Sequence, residues 1–87
     1  MSAQTFNGWA NYETWNVTLW IQNDQSLYNL ACDVVRYNGL YGNFVNILRD
    51  EWGRTHTPDN VAWDDANIDG IEVNEMMSDL YEGCRDV

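Results

Sequence analysis

The 87-residue chain contains no lysine, and its four basic residues are all arginine. Against them stand 14 acidic residues, for a net charge of −10. Proteins that bind nucleic acid or anionic membranes directly rely on Lys and Arg, so neither partner class is expected. No apolar run approaches the roughly 18–20 residues that span a bilayer. The stretch Met1-Ser2-Ala3-Gln4-Thr5 lacks the basic and apolar character of a secretory signal. A cytoplasmic protein is therefore expected, with Cys32 and Cys84 as reduced thiols counting as small apolar residues.

Catalytic signatures are missing as well. There is no G-x-G-x-x-G, no phosphate-binding loop and no C-x-x-C pair. His56 is the single histidine, set in a Thr-rich loop with no cysteine near it in sequence. A general base needs a nucleophile and an orienting group within reach, so the expectation is a non-enzyme without a cofactor. One metal motif comes close. Asp65-Ala66-Asn67-Ile68-Asp69-Gly70 matches the first six positions of a calcium-binding EF-hand loop. Met76 then stands where the bidentate Glu belongs, and Pro58 leaves no room for an entering helix. The segment reads as a polar turn, with a weak cation site of Asp65, Asn67 and Asp69 as the competing reading.

What is present is core material. Hydrophobic residues make up 45% of the chain, including five Trp, five Tyr and two Phe, which is too much for a disordered protein. A chain this short buries only roughly 60–65% of its unfolded surface, and aromatics contribute most per residue. The chain is read as one domain, residues 1–87, with an irregular arm over 1–10 and a helical core over 11–87.

Asn11 is a plausible N-cap for a helix over residues 12–23. Tyr12, Trp15 and Leu19 form one apolar stripe there and Val17, Trp20 and Ile21 a second, which predicts a central helix contacted from two sides. The β-formers of 17–21 make a strand the competing assignment. Asp24 caps a second helix over 25–38, with Leu27, Leu30, Ala31, Val34 and Val35 inward and Gly39 in the C′ position. A third helix runs over 43–52, its inner face Phe44, Ile47, Leu48 and Trp52. Val61-Ala62-Trp63 is an extended piece that tucks Trp63 over the helices. Asp69-Gly70-Ile71-Glu72 has the capping-box pattern and opens a last helix to about residue 83. The fold class is thus all-α, a small bundle of about four helices.

The charge is unevenly placed. Residues 1–49 carry a net of −1, and residues 50–87 carry −9. Glu72, Glu75, Asp79, Glu82 and Asp86 follow a 3-4-3-4 spacing, which on a helix confines them to an arc of about 80°. Like charges at such spacings repel by a few tenths of a kcal/mol per pair, and no basic residue intervenes before Arg85. Asp64, Asp65 and Asp69 extend the negative region upstream. The bland interpretation is a solvated helix face. The sharper one is a row of carboxylates that meets Lys and Arg on another protein, because carboxylates can stand in for phosphates in a basic channel.

The segment Asn11-Tyr12-Glu13-Thr14-Trp15-Asn16-Val17-Thr18-Leu19-Trp20-Ile21-Gln22-Asn23-Asp24 resembles the NYETWNVxLWIxND segment of small uncharacterised proteins carried by bacteriophages, plasmids and other mobile elements. Thr57-Pro58-Asp59 and Asn74-Glu75-Met76-Met77 look like weaker echoes of that family. The resemblance implies an accessory protein acting in a bacterial cytoplasm, where small acidic proteins often inhibit host defence and some mimic nucleic acid.

Two functions follow as expectations. The first is an inhibitor whose partner is a host protein with a basic nucleic-acid-binding channel, such as a CRISPR effector or restriction enzyme. Its contact residues would be Asp64, Asp65, Asp69, Glu72, Glu75, Asp79, Glu82 and Asp86. The second is an accessory protein that self-associates as a homodimer through its aromatic surface around Tyr12 and Trp20, with the acids serving solubility.

Overall fold

The computed structural model describes residues 6–84. It consists of α1 (Tyr12–Asn23), α2 (Gln25–Arg36), α3 (Tyr41–Asp50) and α4 (Gly70–Cys84), with no sheet among the described residues. The strand alternative for 17–21 is removed, because these residues lie within α1.

Local chemistry sets the helix starts. The Asn11 side chain accepts from Thr14 N at 2.9 Å and opens α1. Asp24 Oδ1 accepts from Ser26 N and Leu27 N and opens α2 one residue after α1 ends. Such caps stabilise a helix by about 1 kcal/mol each. α3 begins two residues earlier than the sequence suggests. Asn43 Oδ1 reaches back to Leu40 N at 2.9 Å, and Asn74 Oδ1 on α4 accepts from Tyr41 N at 2.8 Å. That second bond is a tertiary contact, invisible to local patterning.

The end of α2 also differs from expectation. The left-handed residue is Asn38 (φ 62°), and the helix stops at Arg36. Asn is the non-glycine residue that tolerates this conformation best. Gly39 has another reason to be glycine: its N–H donates to Val34 O at 2.7 Å, and a Cβ there would sit 2.7 Å from Val34 Cγ1.

The buried side chains form one cluster, drawn from all four helices and from Val61 and Trp63. α2 and α4 each pack against every other helix, whereas α1 and α3 do not pack on one another. The expected central place of α1 is therefore corrected. Its first buried side faces α2 and α4, and its second is covered by the connection between α3 and α4. The residues it buries there are polar: Thr14 and Asn16 are fully buried. Trp15 and Leu19, expected in the core, are only half-buried. Trp15 instead joins Phe6 and Tyr12 in an outer aromatic cluster with ring centroids 4.8–5.6 Å apart. Phe6 and Trp9 exchange backbone hydrogen bonds at 2.8 and 2.9 Å, so the arm over 6–10 closes a tight turn.

Trp63 does tuck over the bundle, and it is the largest fully buried side chain. Its ring meets Phe44 edge-on at 5.8 Å, and its carbonyl accepts from the Tyr41 hydroxyl at 2.5 Å. Burial, with Asp64 nearby, pushes the Tyr41 hydroxyl far above its usual pKa. The Trp63 indole N–H has no acceptor among the described residues. That omission costs roughly 1–3 kcal/mol, which burial of so large a ring offsets. Trp52, expected to face inward, lies beyond the end of α3 and is exposed, with the Arg54 guanidinium 5.4 Å over its ring. Cys32, read as a free thiol, is buried and disulfide-bonded, and its Sγ lies 3.9 Å from the Leu80 carbonyl oxygen of α4.

Candidate functional site

The described carboxylates among the eight expected contact residues do not line one groove. Glu72, Glu75 and Asp79 line a groove of about 380 Å³ between α4, α1 and the arm, with Trp9, Met76 and Leu80 as its apolar part. Asp64 and Asp65 line a different groove of about 300 Å³, against α3. Asp69 lies at the start of α4, and Glu82 is exposed further along that helix. Asp86 lies outside the described residues.

Nor are these carboxylates equivalent. Asp69 Oδ1 accepts from Ile71 N at 3.0 Å and Glu72 N at 3.2 Å, which makes it the N-cap of α4. The capping box is only half formed. Asp69 N donates to Thr14 Oγ1 on α1 at 2.8 Å, and Glu72 Oε1 accepts from Ala10 N at 2.7 Å. Glu72 thus ties the arm to α4 and shapes the groove wall that carries Trp9. Asp65 Oδ1 accepts from Asn67 N at 2.8 Å, and the Asn67 carbonyl accepts from Asn11 Nδ2 on α1. The calcium-like segment is therefore a polar turn tied to α1. Among the described residues no group of three or more His, Cys, Asp or Glu is placed to share an ion.

Glu75 and Asp79 are different. They are exposed, one turn apart on α4, and among the described residues no arginine lines their groove. Arg36 faces Asp33 on α2 at 3.9 Å, Arg49 pairs with Asp50 at 3.0 Å, and Arg54 lies over Trp52. The second groove is partly neutralised, because Arg49 also lines it. The hydrogen bond to Asp50 raises the Arg49 pKa, and attraction to Asp50 and Asp64 adds to this. Among the described residues, the α4 groove thus gathers Glu72, Glu75 and Asp79 with no arginine in its lining.

Spacing did not single out Asp59. Its Oδ2 accepts from Asn16 Nδ2 at 2.8 Å and Trp20 Nε1 at 3.0 Å. Those two bonds hold its pKa below the usual carboxylate value, against a small opposing effect of burial. Asn16 Oδ1 in turn accepts from the buried Thr57 hydroxyl at 2.7 Å, and Thr57 Oγ1 accepts from Asp59 N and Val61 N. Every described member has a partner, and the network staples the 55–63 connection to α1. The one sequence signal for it was the pairing of two motif fragments, Asn11–Asp24 and Thr57–Asp59, which are far apart in the chain and meet here. Trp20, proposed as an exposed contact, is committed to this network and packs against the core. Tyr12 stays exposed, within the cluster of Phe6 and Trp15.

His56 is exposed beside Thr55, whose hydroxyl lies 2.9 Å from Nδ1, and no carboxylate or cysteine is hydrogen-bonded to it among the described contacts. No helix of the described residues is long and apolar enough to cross a membrane. Neither a curated protein nor a solved structure matches the chain. One family model does, over residues 2–83, and on that extent the chain belongs to the family of unknown function DUF7249.

Proposed function

We propose that the chain is a non-enzymatic inhibitor from a mobile element that binds a host nucleic-acid-handling defence protein, a CRISPR effector or a restriction enzyme, and occupies its basic channel. The observation that carries this reading is the α4 groove. Glu75 and Asp79 project from α4 beside Trp9, Met76 and Leu80, with no arginine in the lining among the described residues. Carboxylates held one turn apart can each accept a guanidinium or ammonium group in place of a phosphate. The apolar part beside them gives the aliphatic stems of those side chains a surface to cover. Opposite fields steer the encounter, so association is fast and salt-sensitive.

The contact set is narrower than the sequence suggests. Glu75 and Asp79 lead, Glu82 extends the stripe, and Glu72 and Asp69 shape the site rather than meet the partner. Asp64 and Asp65 belong to another groove. In this reading the protein works in the host cytoplasm, where thiol buffers reduce disulfides. The four helices must then hold without the Cys32 disulfide.

The experiment is protection of incoming DNA. Bacteria carrying a defined CRISPR or restriction system express the chain, and the survival of targeted phage or plasmid DNA is counted. Protection should be lost with the double variant Glu75→Lys, Asp79→Lys and kept with Glu51→Lys, an exposed acid at the end of α3. Protection by the double variant at the parental level removes the groove from the mechanism, and failure to protect against any such system removes the function.

A further inference from the structure

We propose that the corner between α2 and α3 is a two-fold contact surface for a second copy of this chain. The corner holds a groove of about 340 Å³ lined by Leu30, Val34, Tyr37 and Ile47, with Asp33 at its edge. Tyr37 is 79% exposed, and Leu40, three residues on, is 59% exposed. Large apolar side chains this open, grouped at a groove, mark an interaction surface more often than isolated ones do.

Charge identifies the occupant. Residues 25–49 carry one acid, Asp33, and two arginines, Arg36 and Arg49, in a chain of net −10. Two copies that met through their α4 faces would bring Glu75 and Asp79 of each together and repel. At the α2–α3 corner that repulsion is least. The corner is also complementary to itself, as a two-fold contact requires. Asp33 and Arg36 lie one turn apart on α2, both well exposed, and their own pairing is loose at 3.9 Å. With α2 of one copy antiparallel to α2 of the other, Arg36 meets Asp33 of the second copy, and the reverse pair forms by symmetry. Tyr37 and Leu40 then close over the apolar groove beside these pairs. The surface is distinct from the α4 groove, so a dimer leaves that groove open and presents it twice.

The test is analytical ultracentrifugation of the full chain at physiological salt, from about 1 μM to about 0.5 mM. The expected result is a shift from the 10.1 kDa monomer to twice that mass and no further. Tyr37→Asp should weaken association by roughly tenfold or more, and so should Arg36→Asp, which sets like charges across the contact. Asp33→Arg combined with Arg36→Asp should restore the dimer, because the swap recreates both cross-copy pairs. Circular dichroism should show parental helix content in every variant, since the substituted side chains are exposed. A chain that stays monomeric throughout overturns the proposal. So does a dimer indifferent to Tyr37→Asp and Arg36→Asp, or a swap that fails to rescue. Growth beyond the dimer that is lost with Glu75→Lys, Asp79→Lys also overturns it, in favour of a head-to-tail contact between the corner and the α4 groove.

Discussion

Asn16 and Asp59, 43 positions apart in the chain, are hydrogen-bonded from Nδ2 to Oδ2 at 2.8 Å, and through this pair the long connection before α4 is fastened to α1. Asn16 is fully buried and uses both ends of its amide, donating to Asp59 and accepting from Thr57. Asn16→Ala would leave the buried Thr57 hydroxyl without its acceptor as well as removing the bond to Asp59. The expected loss is roughly 2–4 kcal/mol from two bonds and one unsatisfied group. Trp20→Phe removes one bond to an exposed carboxylate and should cost less than Asn16→Ala. Urea denaturation of both variants checks the order, and an Asn16→Ala protein as stable as the parent would contradict the network's role.

The same carboxylate makes stability depend on pH. The folded-state pKa of Asp59 is depressed by its bonds to Asn16 and Trp20. Its contribution is therefore present above the ordinary carboxylate pKa near 4 and is lost as pH falls through the lower folded value. Melting temperature should decline on acidification below about pH 4, and Asp59→Asn should decline less steeply over that range. An acid limb of equal slope in the two proteins would assign the dependence to other carboxylates.

Two tryptophans separate core from rim. Trp63→Ala empties a fully buried site against Phe44 and Tyr41, and roughly 3–5 kcal/mol should be lost. Net stability of so small a domain is only about 5 kcal/mol, so this variant should be largely unfolded. Trp15 is half-buried beside Phe6 and Tyr12, and Trp15→Ala should cost about half as much or less. Thermal melts of the two variants decide it. Equal damage would place Trp15 in the core.

Glu72 and Glu75 are three positions apart and should behave differently. Glu72→Ala removes the acceptor of the Ala10 N–H, so hydrogen exchange at Ala10 should speed up and the arm should be cut sooner by protease. Glu75→Ala should leave both unchanged. Identical exchange at Ala10 in the two variants would show that the arm is held by its aromatic contacts alone.

Calcium should neither bind in the micromolar range nor raise the melting temperature. Asp65 and Asp69 already accept backbone N–H groups, and Met76 cannot supply the two oxygens that a bidentate Glu provides. Calorimetric titration tests this directly, and micromolar binding would reopen the cation reading of residues 65–70.

A disulfide-bonded Cys32 should contribute about 2–4 kcal/mol, mainly by limiting the unfolded chain. Cys32→Ala, or reduction of the parent, should lower the melting temperature in proportion. If reduced protein keeps its helical spectrum at 37 °C, the cytoplasmic reading stands. If it unfolds, an oxidising setting is required.

Four helices and most of their starts were legible in the sequence, because caps and apolar periodicity act within a few residues. Asp24 and Asp69 cap by side-chain geometry that needs no partner from elsewhere, and Leu27, Leu30, Ala31 and Val34 share one face by the 3.6-residue repeat alone. The charge asymmetry was equally plain, since it is a count. What the sequence did not determine is which side chains meet across distance. Periodicity marked two apolar stripes on α1 but could not say that polar Asn16, rather than Trp15, would be fully buried. That depended on Thr57 and Asp59 arriving from the far connection with matching donors and acceptors. Even spacing made Glu72 and Glu75 look alike. Tertiary structure separated them, because the arm's Ala10 N–H lies within hydrogen-bonding reach of only the first, and an unsatisfied backbone donor takes whichever carboxylate is close.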